Sequence, residues 1–485
     1  MSPLLLAFAV ALAAAACPPT GPVTADLHAV GCADLRLDII ADNITLVIEG
    51  ATGTISVSSD GGGTTLRLLD STVAGDLTLR GPRAFVDVRR STVAGDEVIA
   101  LFGAENATIT VVDSTLTGSI VASVLANAGG ASITIANSTL SATRFAASVV
   151  GVAIHDVAVV VTDSRLTLGG LDNVGVGALA AATVTNALVN VTSSSITSTS
   201  GDYVGVLGAG SSSGGVTWTN VTVSAAVSNI TSTAGDYVGV LAVGCYNGAV
   251  TWTNVTISVA LSNVSSTARD GVAVLGAESN SRVTWNNVTL SASVANVSSA
   301  ARDGVAVLGA GSTGGSMSWT SVAVAAELTT VTSTAGNYVG LIGAGGNSRV
   351  TWTNVTVSAV VANITSTAGD YVGIIGAGSY SGVVTWTNVD VSTTLVNVMS
   401  IANDAVGILG GGSGIGVSWT NVSVSAMVAN LTSTADGGVG VLGAGGRTVN
   451  WTNVNVAVTL ANCTSTATGG YVGLLGAGSA GGGGV

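Results

Sequence analysis

The sequence contains no Lys and no Gln, only five Glu and only two His. Lys, Gln and Glu normally cover the solvent-facing side of helices, so their near absence argues against an α-helical protein. All thirteen basic residues are Arg and are thinly scattered along a chain with a net charge of −13. Because no basic stripe exists to neutralise phosphates, we expect no nucleic-acid partner.

Charged residues make up only 8% of the chain and apolar residues 47%, which by itself resembles a membrane protein. Past the N-terminus, however, no clean apolar run reaches the about 18 residues that a bilayer-spanning helix needs. We therefore expect no transmembrane segment beyond a signal peptide.

The four Cys are too few for a disulfide scaffold, although Cys17 and Cys32 are close enough in sequence to form a disulfide in an N-terminal cap.

The chain does contain eight Trp at a nearly fixed period, with steps of 32 to 34 residues between them: Trp218, Trp252, Trp285, Trp319, Trp352, Trp386, Trp419 and Trp451. A fixed period of this size indicates a repeat architecture, in which each unit buries its apolar face against its neighbours. Ankyrin and tetratricopeptide repeats have similar periods. This repeat, however, is built from Val, Ile, Thr, Ser, Asn and Gly, which favour strands and turns.

Polar and apolar residues alternate within one unit and change phase at Asn. Val350 and Trp352 share one face, the phase flips after Asn354 and again after Asn363, and Gly369-Asp370 makes a third corner. Period-two alternation that is broken at corners predicts an all-β, right-handed parallel β-helix, also called a β-solenoid. The rival all-β fold is an eight-bladed propeller, which needs several tight hairpin turns per unit.

A Gly-x-Gly phrase, such as Gly376-Ala377-Gly378, recurs in nearly every unit. A dinucleotide-binding loop requires one such phrase opening a helix. Because no helix pattern follows and the phrase repeats, we interpret it as the single Gly-rich turn of each unit.

Ser-containing phrases before the tryptophans extend the solenoid towards the N-terminus. Ser71, Ser91, Ser114, Ser138 and Ser164 are separated by 20, 23, 24 and 26 residues. The coil length therefore grows from about 20 to 33–34 residues, which an open spiral permits.

We predict a signal peptide over 1–16, a cap over 17–43, irregular shorter coils over 44–183 and regular repeats over 184–485. The chain ends in Gly481–Gly484 where another Trp strand is due, so we predict a truncated array and a lost membrane anchor.

The N-terminal segment and the sequons predict a secreted or cell-surface glycoprotein. Leu4 to Ala16 is an uninterrupted apolar run with a small-residue cleavage context before Cys17. A sequon Asn marks a potential surface glycan, although such Asn could instead form inward-facing corner ladders. The fifteen sequons lie at Asn43, Asn106, Asn137, Asn190, Asn220, Asn229, Asn254, Asn263, Asn287, Asn296, Asn354, Asn363, Asn421, Asn430 and Asn462.

An acidic column recurs at the third corner of the units, with Asn337 in the same slot. Stacked carboxylates repel, so they are either solvated turn residues or share cations such as Ca²⁺. We expect solvated turns, no obligate cofactor, and calcium as the weaker alternative. The column consists of Asp202, Asp236, Asp270, Asp303, Asp370 and Asp404.

One segment varies between units, between the Gly-Ala-Gly phrase and the Trp strand. Loops stacked on one edge of a rigid scaffold commonly carry recognition, and Arg and Tyr are enriched in binding surfaces. Neutral drift in an exposed turn explains the variation equally well. The candidate binding residues, for extracellular glycans or other surface proteins, are Arg282, Arg349, Arg447, Tyr246 and Tyr380.

The leading functional hypothesis is a non-catalytic adhesin, coat element or recognition scaffold. A polysaccharide lyase or hydrolase is the alternative, because paired carboxylates can cut glycosidic bonds, yet the sequence shows no catalytic cluster that breaks the repeat. A second alternative is ice binding by Thr-x-Thr arrays such as Thr351/Thr353 and Thr365/Thr367. Thr, however, is also simply the polar residue that favours strands.

The Thr-Trp-Thr-Asn-Val-Thr phrase, with its Gly-Asp-Tyr-Val-Gly partner, resembles the repetitive β-helical surface proteins of protists, which are often described as membrane-associated. The resemblance covers residues 184–478. It implies a pectin-lyase-like solenoid displayed at the cell surface and carries over no catalytic residue.

Overall fold

The computed structural model describes residues 17, 21–103, 105–125, 129–170, 174–176, 179–200, 203–205, 209–211, 215–235, 237–245, 248–279, 281–312, 315–346, 348–379, 382–403, 405–413, 415–436, 438–445, 448–468, 472–473 and 476–478. The predicted signal peptide and the Gly481–Gly484 end lie outside these residues.

Every regular element in this part of the chain is a β-strand. The strands of the shorter coils are β1 Gly21–Val23, β2 Leu27–Val30, β3 Leu35–Ile39, β4 Thr45–Glu49, β5 Thr52–Ser59, β6 Thr65–Leu69, β7 Thr72–Ala74, β8 Leu77–Arg80, β9 Phe85–Arg89, β10 Thr92–Ala94, β11 Ile99–Phe102, β12 Thr108–Val112, β13 Thr115–Leu125, β14 Ser132–Ala136, β15 Thr139–Gly170 and β16 Val174–Val176. The strands that follow are β17 Leu179–Ser200, β18 Tyr203–Gly205, β19 Ala209–Ser211, β20 Val216–Thr233, β21 Tyr237–Cys245, β22 Val250–Ala268, β23 Gly271–Ser279, β24 Val283–Ala301, β25 Gly304–Ser312, β26 Met317–Ala335, β27 Tyr338–Gly346, β28 Val350–Ala368, β29 Tyr371–Ser379, β30 Val383–Ala402, β31 Ala405–Ser413, β32 Gly416–Ala435, β33 Gly438–Gly445, β34 Thr448–Ala467, β35 Val472–Gly473 and β36 Gly476–Gly478.

The strands pair in parallel with the equivalent strands of the coils before and after them. Val350 of β28, for example, pairs with Met317 of β26 on one side and with Val384 of β30 on the other. Stacked parallel coils form a β-solenoid, so the predicted fold class is confirmed. The propeller is excluded for the described part of the chain, because its blades would consist of antiparallel hairpins.

Each regular coil, named below by its Trp, contains one long strand that bends at two left-handed residues without losing its pairing, and in every such coil but the Trp319 coil both are Asn. In β28 the bends are Asn354 and Asn363, with φ of 54° and 56°. Asn visits this left-handed region more readily than most residues because its short side chain bonds locally. The phase changes in the sequence therefore mark bends within one continuous strand, and inter-coil pairing continues on both sides of each bend.

The core is a column of stacked indoles surrounded by Val, Ile and Leu. Neighbouring Trp rings lie 4.7–5.3 Å apart between centroids, with interplanar angles of 2–8°. Trp218 to Trp419 are at most 2% exposed, whereas Trp451 is half-buried. Val350 and Trp352 are buried while Thr353 is half-exposed, so the inside–outside assignment is confirmed.

The coil length increases along the chain, as the Ser spacing predicted. Inter-coil hydrogen bonds join residues separated by 20 (Ala51 to Ser71), 23 (Ser91 to Ser114), 26 (Ser138 to Ser164), 30 (Asn186 to Asp156) and 34 (Asn220 to Asn186) positions. In the short coils, the backbone N–H of each buried Ser donates to the hydroxyl of the next one, at 3.1 Å for Ser114 and Ser138. Each of these Ser directly follows a left-handed residue, such as Asp113 before Ser114 and Asn137 before Ser138, so the Ser ladder lies beside a left-handed corner.

The interpretation of Gly376-Ala377-Gly378 as a turn is wrong. These residues lie inside β29, which runs to Ser379 and pairs with β31. Gly376 has a φ of 140°, and a Cβ atom at this position would collide with the carbonyl oxygen of Gly410 in the next coil. Gly is therefore required by close strand approach, a cause that local turn signals do not reveal.

The structure places the side chains of three of the four cysteines, Cys17, Cys32 and Cys463. The disulfide predicted between Cys17 and Cys32 is present, with their Cα atoms 5.3 Å apart. Cys463 is a free thiol and pairs with Leu431 in the column of core residues to which Ile364 belongs.

Candidate recognition surfaces

Asn side chains form two ladders along the outside of the solenoid. The first asparagine column contains Asn186, Asn220, Asn254, Asn287, Asn354, Asn388, Asn421 and Asn453, and the second contains Asn229, Asn263, Asn296, Asn363, Asn397, Asn430 and Asn462. Within each uninterrupted run, the Nδ2 of one Asn donates to the Oδ1 of the Asn one coil earlier, at 2.8–3.1 Å. These Asn are exposed, so the inward-facing alternative is wrong.

Both ladders are interrupted in the same coil, the Trp319 coil. Ser321 stands in the first column and Thr330 in the second, and both retain the left-handed conformation, with φ of 55° and 54°. This interruption was not predicted, although the sequence shows it, since Thr320-Ser321-Val322 replaces the usual Thr-Asn-Val phrase.

The sequons fall almost entirely on these exposed corners. Eleven of the fifteen lie in the two columns. Asn43, Asn106 and Asn137 occupy exposed left-handed corners of the shorter coils. Asn190 differs, because it is half-buried within β17. All the sequons except Asn190 thus present their amide at the surface.

Arg side chains neutralise part of the acidic column. Asp270, whose side chain is only 8% exposed, lies 3.2 Å from Nε of Arg269 and 2.7 Å from Nη2 of Arg302. Asp303 lies 3.3 Å from Nε of Arg302, which raises the pKa of that guanidinium chiefly through their hydrogen bond. These Arg partners were not predicted, although they stand directly before each Asp in Arg269-Asp270 and Arg302-Asp303.

In the described coils, neighbouring residues of the acidic column are hydrogen-bonded to each other through the backbone. The backbone N–H of Asp303 donates to the carbonyl of Asp270, and that of Asp370 to the carbonyl of Asn337. Asp202, Asp236 and Asp404 lie outside the described residues. Within the described part of the chain, no group of three or more His, Cys, Asp or Glu side chains is arranged to hold a metal ion.

We expect Ca²⁺ and a monovalent salt at equal ionic strength to change the Tm of the protein by the same amount. Because Arg269 and Arg302 already compensate the Asp270 and Asp303 carboxylates, only general screening remains for added ions. Thermal unfolding in matched CaCl₂ and NaCl series measures this. A rise in Tm specific to Ca²⁺ would instead make calcium a structural ligand of the column.

The first asparagine column begins on a charged residue. Asn186 donates to Oδ1 of Asp156 at 3.0 Å, and Nδ1 of His155 lies 3.0 Å from Oδ2 of the same carboxylate. The hydrogen bonds from His155 and then Asn186 hold the pKa of Asp156 below its ordinary value. A lowered pKa in the folded state adds stability above the unfolded-state pKa, and that stability is lost as the pH falls through the folded pKa.

The stability difference between the wild-type protein and the variant Asp156→Asn should therefore be present at neutral pH and shrink as the pH falls below about 4. Asn at this position still accepts the bond from Asn186 but carries no charge to lose. Denaturant midpoints measured for both proteins between neutral and strongly acidic pH give the difference directly. A difference that stays constant over the whole range would contradict the assignment.

The loop edge that precedes the Trp strands presents two exposed guanidinium groups. Arg282 and Arg349 both lie directly before a Trp-containing strand, in coils separated by the Trp319 coil. Neither lies within ion-pair distance of a carboxylate in the described part of the chain. The other loop candidates, Tyr246, Tyr380 and Arg447, lie outside the described residues.

The long strands β20, β22, β24, β26, β28, β30, β32 and β34 contain only two charged residues, Glu327 and Asp390. Their outer positions carry mainly Thr, Ser and Ala. The Thr columns are not continuous, since Met399 and Ile401, each 39% exposed, replace the pair Thr365/Thr367 in the next coil. The solenoid thus has a broad, nearly uncharged surface with an apolar interruption.

Comparison of this chain with protein-family models, with curated proteins and with solved structures gives no match. The described residues include no helix of the length and apolarity needed to cross a bilayer.

Proposed function

We propose that the protein is a non-catalytic β-solenoid that is secreted or displayed at the cell surface, where it acts as an adhesin, coat element or recognition scaffold. The observation that carries this proposal is the position of the sequons: the eleven in the Trp-containing coils all lie at exposed corners. Glycans at these positions would project outward without disturbing the core.

The charge distribution supports the same proposal. Charged side chains in the regular coils concentrate at the third corner and on the loop edge, while the long strands present hydroxyl, amide and small apolar groups. An uncharged rigid surface of this kind suits contact with neutral polymers or with neighbouring molecules of a coat. The exposed Arg282 and Arg349 on the loop edge add a separate position for polar recognition.

The location is tested with the full chain, carrying a C-terminal tag, in a eukaryotic cell line. The proposal predicts tagged protein in the medium or on the cell surface, with a mass that falls on treatment with a peptide N-glycosidase. Retention in the cytoplasm without any glycan would refute it.

The non-catalytic part of the proposal needs a separate measurement. Purified protein is applied to an array of glycans and incubated with a panel of plant, algal and microbial polysaccharides, followed by reducing-end and unsaturated-product assays. Binding without turnover supports a recognition scaffold. Cleavage of any polysaccharide would favour the lyase or hydrolase alternative.

A further inference from the structure

We propose that glycosylation of the two asparagine columns is limited by the stacking of the coils. In the folded molecule, two sequon Asn that are one coil apart in the same column are not both glycosylated, and Asn354, Asn363 and Asn421 are the fully occupied positions. This inference rests on the proposed passage through the secretory pathway and deepens it.

The limit follows from the ladder geometry. Asn254 bonds directly to Asn220 at 3.0 Å, and Asn263 to Asn229 at 3.1 Å. Successive parallel strands are about 4.8 Å apart, and a branched N-glycan is wider than this spacing. Two glycans on neighbouring rungs of one ladder would overlap, whereas glycans two coils apart have roughly 10 Å between their attachment points.

A single glycan is compatible with the ladder itself. Each amide has two Nδ2 hydrogens, and one of them is used in the bond to the preceding coil. Transfer from a lipid diphosphate-linked oligosaccharide forms a bond between Nδ2 and the sugar C1. The bond from C1 to the diphosphate oxygen breaks, and one Nδ2 proton is released. The remaining Nδ2 hydrogen can still donate to the neighbouring Oδ1.

The sequence divides the sequons into isolated and stacked ones. Asn354 and Asn421 flank Asn388, which is not a sequon because Asp390 stands at its second following position. Asn363 is likewise isolated, between Thr330 and Asn397. The stacked sets are Asn220/Asn254/Asn287, Asn229/Asn263/Asn296 and Asn430/Asn462.

Because glycans are transferred before the chain folds, the stacking of the coils does not prevent their attachment. It decides which glycosylated chains can fold. A chain that receives glycans on two stacked neighbours cannot close the ladder between them and is lost from the folded, secreted population. Secreted molecules should therefore show near-complete occupancy of Asn354, Asn363 and Asn421. No secreted molecule should carry glycans on two adjacent rungs of a stacked set.

The test adds a sequon between two isolated ones. Asp390→Thr turns Asn388 into a sequon directly between Asn354 and Asn421. The control Asp390→Thr/Thr356→Ala/Ser423→Ala removes both neighbouring sequons while leaving all three Asn in the ladder. To count the glycans, they are trimmed to one sugar each and the mass of the intact secreted chain is measured. To locate them, a separate untrimmed sample is treated with a glycan-releasing enzyme in heavy-oxygen water and its peptides are mapped.

Asp390→Thr should add no glycan to the number per secreted molecule, and its secreted yield should fall several-fold. The triple variant should be secreted at the wild-type yield, with Asn388 fully occupied and one glycan fewer than the wild type. The inference is overturned if Asp390→Thr molecules gain one glycan at an unchanged yield.

A second arm separates this inference from the proposed function. The full chain is expressed once with its own N-terminus and once behind an added secretory leader. Cytoplasmic retention with its own N-terminus alone would refute the proposed location, while the leader-carrying protein still tests the stacking limit. Absence of glycans from Asn354, Asn363 and Asn421 in the leader-carrying protein would overturn the inference about stacking. The proposed location would then be tested only by the protein that has its own N-terminus.

Discussion

Replacing Trp352 by Ala should lower the free energy of unfolding by about 3–5 kcal/mol, the usual range for removing a large aromatic core side chain. Trp352 is fully buried, and its ring stacks on Trp319 and Trp386 at 4.8 Å on both sides. Neither coil can move into the resulting cavity without breaking the backbone pairing that fixes the coil spacing. Chemical unfolding followed by circular dichroism measures the loss.

Two other substitutions provide controls for this prediction. Thr353→Ala changes the neighbouring half-exposed position and should have only a small effect. Trp451→Ala removes an indole that is half-buried and that stacks on Trp419 within the described residues, so it should cost less than Trp352→Ala. Equal, small losses for all three variants would mean that the indole column does not stabilise the solenoid.

Replacing Thr330 by Asn should raise the free energy of unfolding by about 1–3 kcal/mol, because it relieves backbone strain and repairs a ladder. Thr330 has a φ of 54°, which is unfavourable for a β-branched residue. An Asn at this position could donate to Asn296 and accept from Asn363, the residues above and below the gap. The protein should be made in bacteria, because the variant creates a sequon with Thr332.

Ser321→Asn is the matched comparison, since it repairs the first column in the same coil and creates no sequon before Ala323. Ser is not β-branched, so its replacement should stabilise the protein less than Thr330→Asn. The converse change, Asn363→Thr, should destabilise it by removing the bond with Asn397. If Thr330→Asn leaves the unfolding midpoint unchanged or lowers it, the ladders do not contribute to stability.

Several features of the candidate surfaces were predictable from the sequence because they depend on local patterns. The alternation around Trp352 separated the inner from the outer side chains, and the Asn at each phase change marked a corner of the coil. The spacing of Ser71, Ser91 and Ser114 gave the length of the early coils. Each of these signals lies within one coil or in the interval between two identical phrases.

Other features were missed because they depend on contacts between coils. The turn predicted at Gly376 is a strand residue that lies against Gly410, 34 positions further on. The acidic column was interpreted without Arg302, which bonds both to its own neighbour Asp303 and to Asp270 of the previous coil. A sequence pattern shows which residue types recur, but not which side chain reaches across the gap between coils.

The sequence by itself determined the all-β class, the coil length and the buried face of each strand, because strand periodicity and the backbone preferences of Asn are properties of short segments. Only the tertiary structure decided that the corner Asn side chains bond to one another in ladders, that Gly376 lies inside a strand, and which carboxylates have Arg partners. These properties arise when parallel pairing brings residues about one repeat apart to within about 5 Å of each other, and the register that does so is fixed by the packing of the whole coil.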